Sequence, residues 1–86
     1  MKLSKKFILH NSGEESILVP TGEAEFSGIV KGNTVFGQIL ILLTEDTDED
    51  SIIEQMGTIF DADRDVIAKD VDKALTELRK VGALNE

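Results

Sequence analysis

Cysteine, tryptophan and tyrosine are missing from this chain, and proline and histidine occur once each. Without cysteine there is no disulfide framework and no thiolate to attack a substrate or hold a soft metal. His10 has no second histidine and no cysteine with which to complete a zinc-type site, so it reads as a surface or partly buried side chain. Long apolar runs are absent too. The longest, Ile39 to Leu43, falls far short of the roughly 20 residues that span a bilayer. The opening Met1-Lys2-Leu3-Ser4-Lys5-Lys6 has lysines but no apolar stretch of signal-peptide length. These absences point to a soluble cytoplasmic protein with no membrane partner. At 86 residues the chain suits one domain, residues 1–86, with one modest core.

Basic residues are missing from the middle of the chain. Residues 32–63 hold eight acidic side chains and no lysine or arginine, whereas the flanking segments 1–31 and 64–86 are each balanced. The whole net charge of −8 therefore sits in one segment. Such a field repels phosphate backbones and attracts cations over roughly 10 Å. Its plainest role is to keep a small domain soluble. Asp46, Asp48 and Asp50 have the spacing that opens a calcium loop. The sixth and twelfth positions of that loop would be Ser51 and Gly57 where glycine and glutamate are needed, so the pattern fails. Gly28, Gly32 and Gly37 fit no phosphate-cradling spacing. No catalytic group, metal site or cofactor site emerges, which leaves recognition as the expected role.

What is present is a strand-like third followed by helical stripes. Phe7-Ile8-Leu9 and Ile17-Leu18-Val19 read as two strands around the turn-forming Asn11-Ser12-Gly13-Glu14. Pro20-Thr21-Gly22 closes the second. A third run, Phe26-Ser27-Gly28-Ile29-Val30, ends at Lys31-Gly32. Alternation puts Phe26, Gly28 and Val30 on one face and Ser27 and Ile29 on the other. Phe26, Ile29 and Val30 also suit ordinary core packing. Helices are expected over about 33–43, 48–60 and 63–82, capped by Asn33, Asp48 and Asp63. The first is apolar nearly all round in its second half, which implies neighbours on several sides: the sheet, the other helices or a partner. Gly37 inside it suggests close packing, because glycine there costs about 1 kcal/mol relative to alanine. The third helix carries an apolar seam, Ile67, Val71, Leu75 and Leu78, and ends on Arg79, Lys80 and a Gly82 stop. Away from that seam, Lys69, Lys73, Thr76 and Lys80 form a polar stripe, read as a solvated face or as a rail for an acidic peptide. Residues 5–31 would thus form a meander of about three strands, an antiparallel sheet followed by three helices in an α+β unit.

The helical part also resembles a known family. Its first helix reads Asn33-Thr34-Val35-Phe36-Gly37-Gln38-Ile39-Leu40-Ile41-Leu42-Leu43, an Asn cap followed by a hydrophobic stretch ending in a Leu-Leu pair. Asp48-Glu49-Asp50-Ser51-Ile52 follows, then Phe60-Asp61-Ala62-Asp63, Asp70-Val71, Leu75, Glu77-Leu78 and Gly82-Ala83-Leu84. In order and spacing this is similar to the PqqD-like proteins, recognition elements for ribosomally made, post-translationally modified peptides. Leu40 stands where the family often has tryptophan, and Gly32 where a leucine often precedes the cap. The resemblance implies a winged-helix-like unit, a three-stranded antiparallel sheet followed by three helices, that binds the leader of a precursor peptide and is not an enzyme. It also implies a peptide-modifying partner, commonly a radical S-adenosylmethionine enzyme. The leader would add as a strand along Glu25, Phe26, Ser27, Gly28, Ile29, Val30 and Lys31 and lie against the third helix. There Lys69, Asp72, Lys73 and Thr76 are the candidate contacts. Two other classes remain in play: a winged-helix DNA-binding regulator, which the acidic charge disfavours, and a structural or homodimeric subunit using the apolar end of the first helix.

Overall fold

The computed structural model describes residues 1–12, 14–25 and 28–86. The chain runs β1 (Lys2–Leu3), β2 (Phe7–Asn11), β3 (Ser16–Pro20), β4 (Val30–Gly32), α1 (Thr34–Leu42), α2 (Glu49–Ile59), α3 (Arg64–Lys80) and β5 (Leu84–Asn85). Strands β2, β3 and β4 form an antiparallel sheet in that order, followed by the three helices, the α+β arrangement expected from the sequence. On β3 the alternation is clear. Ser16 and Leu18 are buried, while Ile17 and Val19 on the other face are half-buried.

The third strand differs from expectation. Pairing with β3 places Val30 opposite Leu18, Lys31 opposite Ile17 and Gly32 opposite Ser16. The ladder thus continues to the residue before the Asn33 cap, through the Lys31-Gly32 pair that the sequence presents as a stop. The close approach of Phe36 explains Gly32. A β-carbon on that glycine would strike the Phe36 ring. The expected strand residues Phe26 and Ser27, and Gly13 of the first turn, lie outside the described residues.

Helix α1 sits at the centre. It packs on β3 and β4 on one side and on α2 and α3 on the other. That position accounts for its all-round apolar sequence, since Ile39, Leu40 and Leu43 are buried and only Ile41 of the run is exposed. Gly37 is buried against β3, where a β-carbon would collide with the Ser16 side chain. The core is completed by Phe7 and Leu18 from the sheet, Ile52 and Met56 from α2, and Ile67, Val71, Leu75 and Leu78 from α3. Each such side chain contributes about 1.5–3 kcal/mol through burial.

Two of the three expected caps form. Asn33 Oδ1 accepts the Phe36 N–H at 3.0 Å, and Asp48 Oδ1 accepts the Ser51 N–H at 2.8 Å. Asp63 occupies the third cap position, but its side chain makes no capping bond. Its carbonyl instead accepts from Val66 and Ile67 at 3.0 Å each, and the tightened i→i+3 bond satisfies one first-turn donor. At the far end, Gly82 takes φ +75°. Ala83 N–H then reaches the Leu78 carbonyl at 2.9 Å and Gly82 N–H the Arg79 carbonyl at 3.2 Å, a Schellman ending that turns the chain back. The turn delivers Leu84 opposite Leu3, so β5 pairs with β1 in a small second sheet that two-residue strands gave no periodicity to foresee. Nearby, the Met1 ammonium donates to Asp46 Oδ1 at 2.8 Å and to the Thr47 carbonyl at 2.7 Å. That contact, with its opposite charge, holds the Asp46 carboxyl below its usual range.

Candidate functional site

Among the described residues, strand β4 pairs with β3 alone. Along it runs an open groove of about 630 Å³, bounded on the other side by α3 and floored by α1. Ile29, Val30, Lys31 and Gly32 form the strand wall; Asn33, Val35, Phe36 and Ile39 come from the cap and helix α1; Asp70, Lys73, Ala74, Glu77 and Val81 come from α3 and its C-terminal end. The local sequence explains each wall. Gly32 lets the Phe36 ring lie close to the strand backbone. The Asn33 cap starts α1 directly after β4, which brings strand and helix floor together. The α3 residues recur at intervals of three and four, so they make one continuous stripe.

Among the expected site residues, Ile29, Val30, Lys31 and Lys73 line this groove. Ile29 is 57% exposed, so core packing does not account for it, whereas Val30 is half-buried against the core. Glu25 and Gly28 are exposed, and neither is among the groove residues; Phe26 and Ser27 lie outside the described residues. Lys69, Asp72 and Thr76 are exposed but are likewise not groove residues. Helical geometry explains the difference. At roughly 100° per residue, Lys69 and Thr76 lie opposite the buried Ile67-Val71-Leu78 seam, and Asp72 flanks its other side. The groove stripe, Asp70-Lys73-Ala74-Glu77-Val81, flanks the seam on the sheet side. Choosing the most polar face missed Asp70, Ala74, Glu77 and Val81; choosing the border between seam and polar face would have found them.

The chemistry of the groove is that of a recognition surface. Its walls combine six aliphatic side chains with one aromatic ring, and its charges balance, Lys31 and Lys73 against Asp70 and Glu77. An extended chain laid in it would meet main-chain donors and acceptors along β4, apolar contacts beneath, and charges of both signs at the rim. The clearest pKa perturbations lie elsewhere. A two-pronged contact from Arg79 (Nη2 to Glu86 Oε1, 3.0 Å) holds the Glu86 carboxyl low and raises Arg79. The N–H of Ser51 holds Asp48 low at its cap. Among the described residues, no group of three histidine, aspartate or glutamate side chains is arranged to hold a metal ion, and no helix is long and apolar enough to cross a membrane.

The family described as coenzyme PQQ synthesis protein D (PqqD) matches residues 15–84, most of the chain including β3, β4 and all three helices. Among curated proteins, none matches in sequence. Among solved structures, TbiB1 in complex with the TbiA(beta) leader peptide is similar, with a TM-score of 0.82 at 20% identity. The likeness covers 99% of this chain and 95% of that one, and it shows a shared fold.

Proposed function

Since the chain belongs to the PqqD family, we propose that it is a non-enzymatic adaptor that binds the leader of a ribosomally made precursor peptide. The leader adds as a strand to the free edge of β4 and lies against the Asp70-to-Val81 stripe of α3. The adaptor then presents the precursor to a modifying enzyme, a radical S-adenosylmethionine maturase being the expected partner. The observation that carries this reading is that β4 pairs, among the described residues, with β3 alone and lies directly beside an open groove with aliphatic side chains in its walls. TbiB1, which shares the fold, is a protein with a leader peptide bound.

Magnitudes decide how such binding would divide. Three paired residues on β4 offer a handful of main-chain hydrogen bonds, each worth about 1 kcal/mol net. A micromolar complex needs about 8 kcal/mol, after association costs of 4 kcal/mol or more are met. Strand addition alone is therefore too weak, and most of the affinity and specificity must come from side chains buried in the groove. A short edge strand carrying Lys31 also discourages indiscriminate pairing.

Calorimetric titration with the leader half of a short precursor encoded beside this gene tests the proposal. Binding in the micromolar range is expected, with Ile29→Glu weakening it by about tenfold, or 1.4 kcal/mol, while thermal stability stays unchanged because Ile29 is exposed. No binding at millimolar leader, or equal binding by Ile29→Glu, contradicts it.

A further inference from the structure

A second cavity, of about 200 Å³, adjoins the groove. It shares Val35 and Asp70 with the groove. Its other residues come from different elements: Met56 near the end of α2, Phe60, Asp61 and Ala62 in the turn between α2 and α3, and Ile67 in the first part of α3. None of these belongs to β4, so strand addition does not use them.

The lining is graded by depth. Met56 and Ile67 are almost fully buried, Val35 and Phe60 are half-buried, and Asp61, Ala62 and Asp70 are exposed. An apolar interior thus lies beneath a rim that carries two carboxylates. An apolar cavity of roughly 150 Å³ stays dry and takes a molecule the size of benzene, so this one has room for a single branched or aromatic side chain. Methionine beneath the site adjusts to different shapes without opening voids. The acidic rim disfavours aspartate and glutamate beside the inserted residue and favours lysine or arginine.

Resting on the leader-binding reading above, we propose that this cavity is a specificity pocket for one apolar side chain of the same bound peptide, at a position beyond the stretch paired with β4. Main-chain pairing fixes the path of the guest, and the pocket reads one residue of its sequence. A peptide that offers alanine at that position binds the strand edge but leaves the pocket unfilled.

Selection of random peptides displayed on phage tests this, using the intact chain, Ala62→Trp and Phe60→Ala as baits, with amide shifts of residues 29–32 followed for the selected peptides. Ala62 is exposed, so tryptophan there fills the pocket mouth from outside the core. Peptides selected on the unmodified chain should share an apolar residue at a fixed spacing from the segment that shifts β4. Replacing that residue with alanine should weaken binding about tenfold or more to the unmodified chain, but about twofold or less to Ala62→Trp. Phe60→Ala enlarges the pocket and should shift selection towards bulkier aromatic residues, a readout that stands if Ala62→Trp does not fold. Equal losses on both baits, with β4 still shifted and the preference unmoved by Phe60→Ala, overturn the pocket while leaving strand addition intact. Selected peptides that never shift residues 29–32 overturn strand addition and the pocket with it.

Discussion

Two glycines set how closely the sheet and the first helix approach, and each predicts a distinct defect. At Gly37, alanine would improve helix propensity by about 1 kcal/mol, yet its β-carbon would drive into the buried Ser16 side chain. Overpacking of this kind costs about 1–3 kcal/mol, so the clash outweighs the gain. Gly37→Ala should lower the urea midpoint of unfolding, where the same change at an open helical site would raise it. At Gly32 the obstacle is the Phe36 ring, itself part of the groove floor. Gly32→Ala should therefore weaken leader binding more than it lowers stability, as calorimetry and thermal melts on one sample would show. Of the pair, Gly37 was legible in the sequence, because a glycine inside an apolar helix signals close packing. Gly32 was not, because glycine after a strand run reads equally well as a stop, and only the position of Phe36 distinguishes the two.

Among elements, the helices were easier to read than the strands because they carry caps as well as periodicity. The capping bonds give a graded prediction. Asp48→Ala removes a bond to Ser51 N–H and should cost about 1 kcal/mol in denaturant unfolding. Asp63→Ala removes no such bond and should cost only a few tenths, through the helix dipole. Equal losses at the two positions would contradict the capping geometry. The third strand runs past the end its sequence suggests, since its ladder pairs Lys31 with Ile17 and Gly32 with Ser16, and that register is set by β3 rather than by the strand's own alternation. The groove face of α3 was read only at Lys73. Its other contributors lie on the border of the apolar seam, and the choice between the two borders depends on which side of α3 the sheet occupies. That is tertiary information.

For the molecule as a whole, charge was fully legible in the sequence and the meeting of the two ends was not, since β1 and β5 are too short to show a pattern. Charge sets the response to pH. Asp46, Asp48 and Glu86 are held below the usual carboxylate range by the Met1 ammonium, the Ser51 N–H and Arg79 respectively. A carboxyl whose folded pKa is depressed contributes stability that is present above its unfolded pKa and is lost as pH falls towards its folded value. Self-repulsion from the net charge of −8 eases as pH approaches the isoelectric point near 4.5. The urea midpoint should therefore hold between neutrality and about pH 5 and decline below about pH 4; a decline that begins near neutrality would contradict this.

The central claim is that the outer edge of β4 takes up a guest strand, and amide hydrogen exchange with and without leader peptide tests it most directly. Amides of residues 29–32 that face away from β3 should exchange quickly in the free protein and become strongly protected in the complex, while those of β2 stay unchanged. A leader that binds and leaves exchange along residues 29–32 as it was would contradict the account.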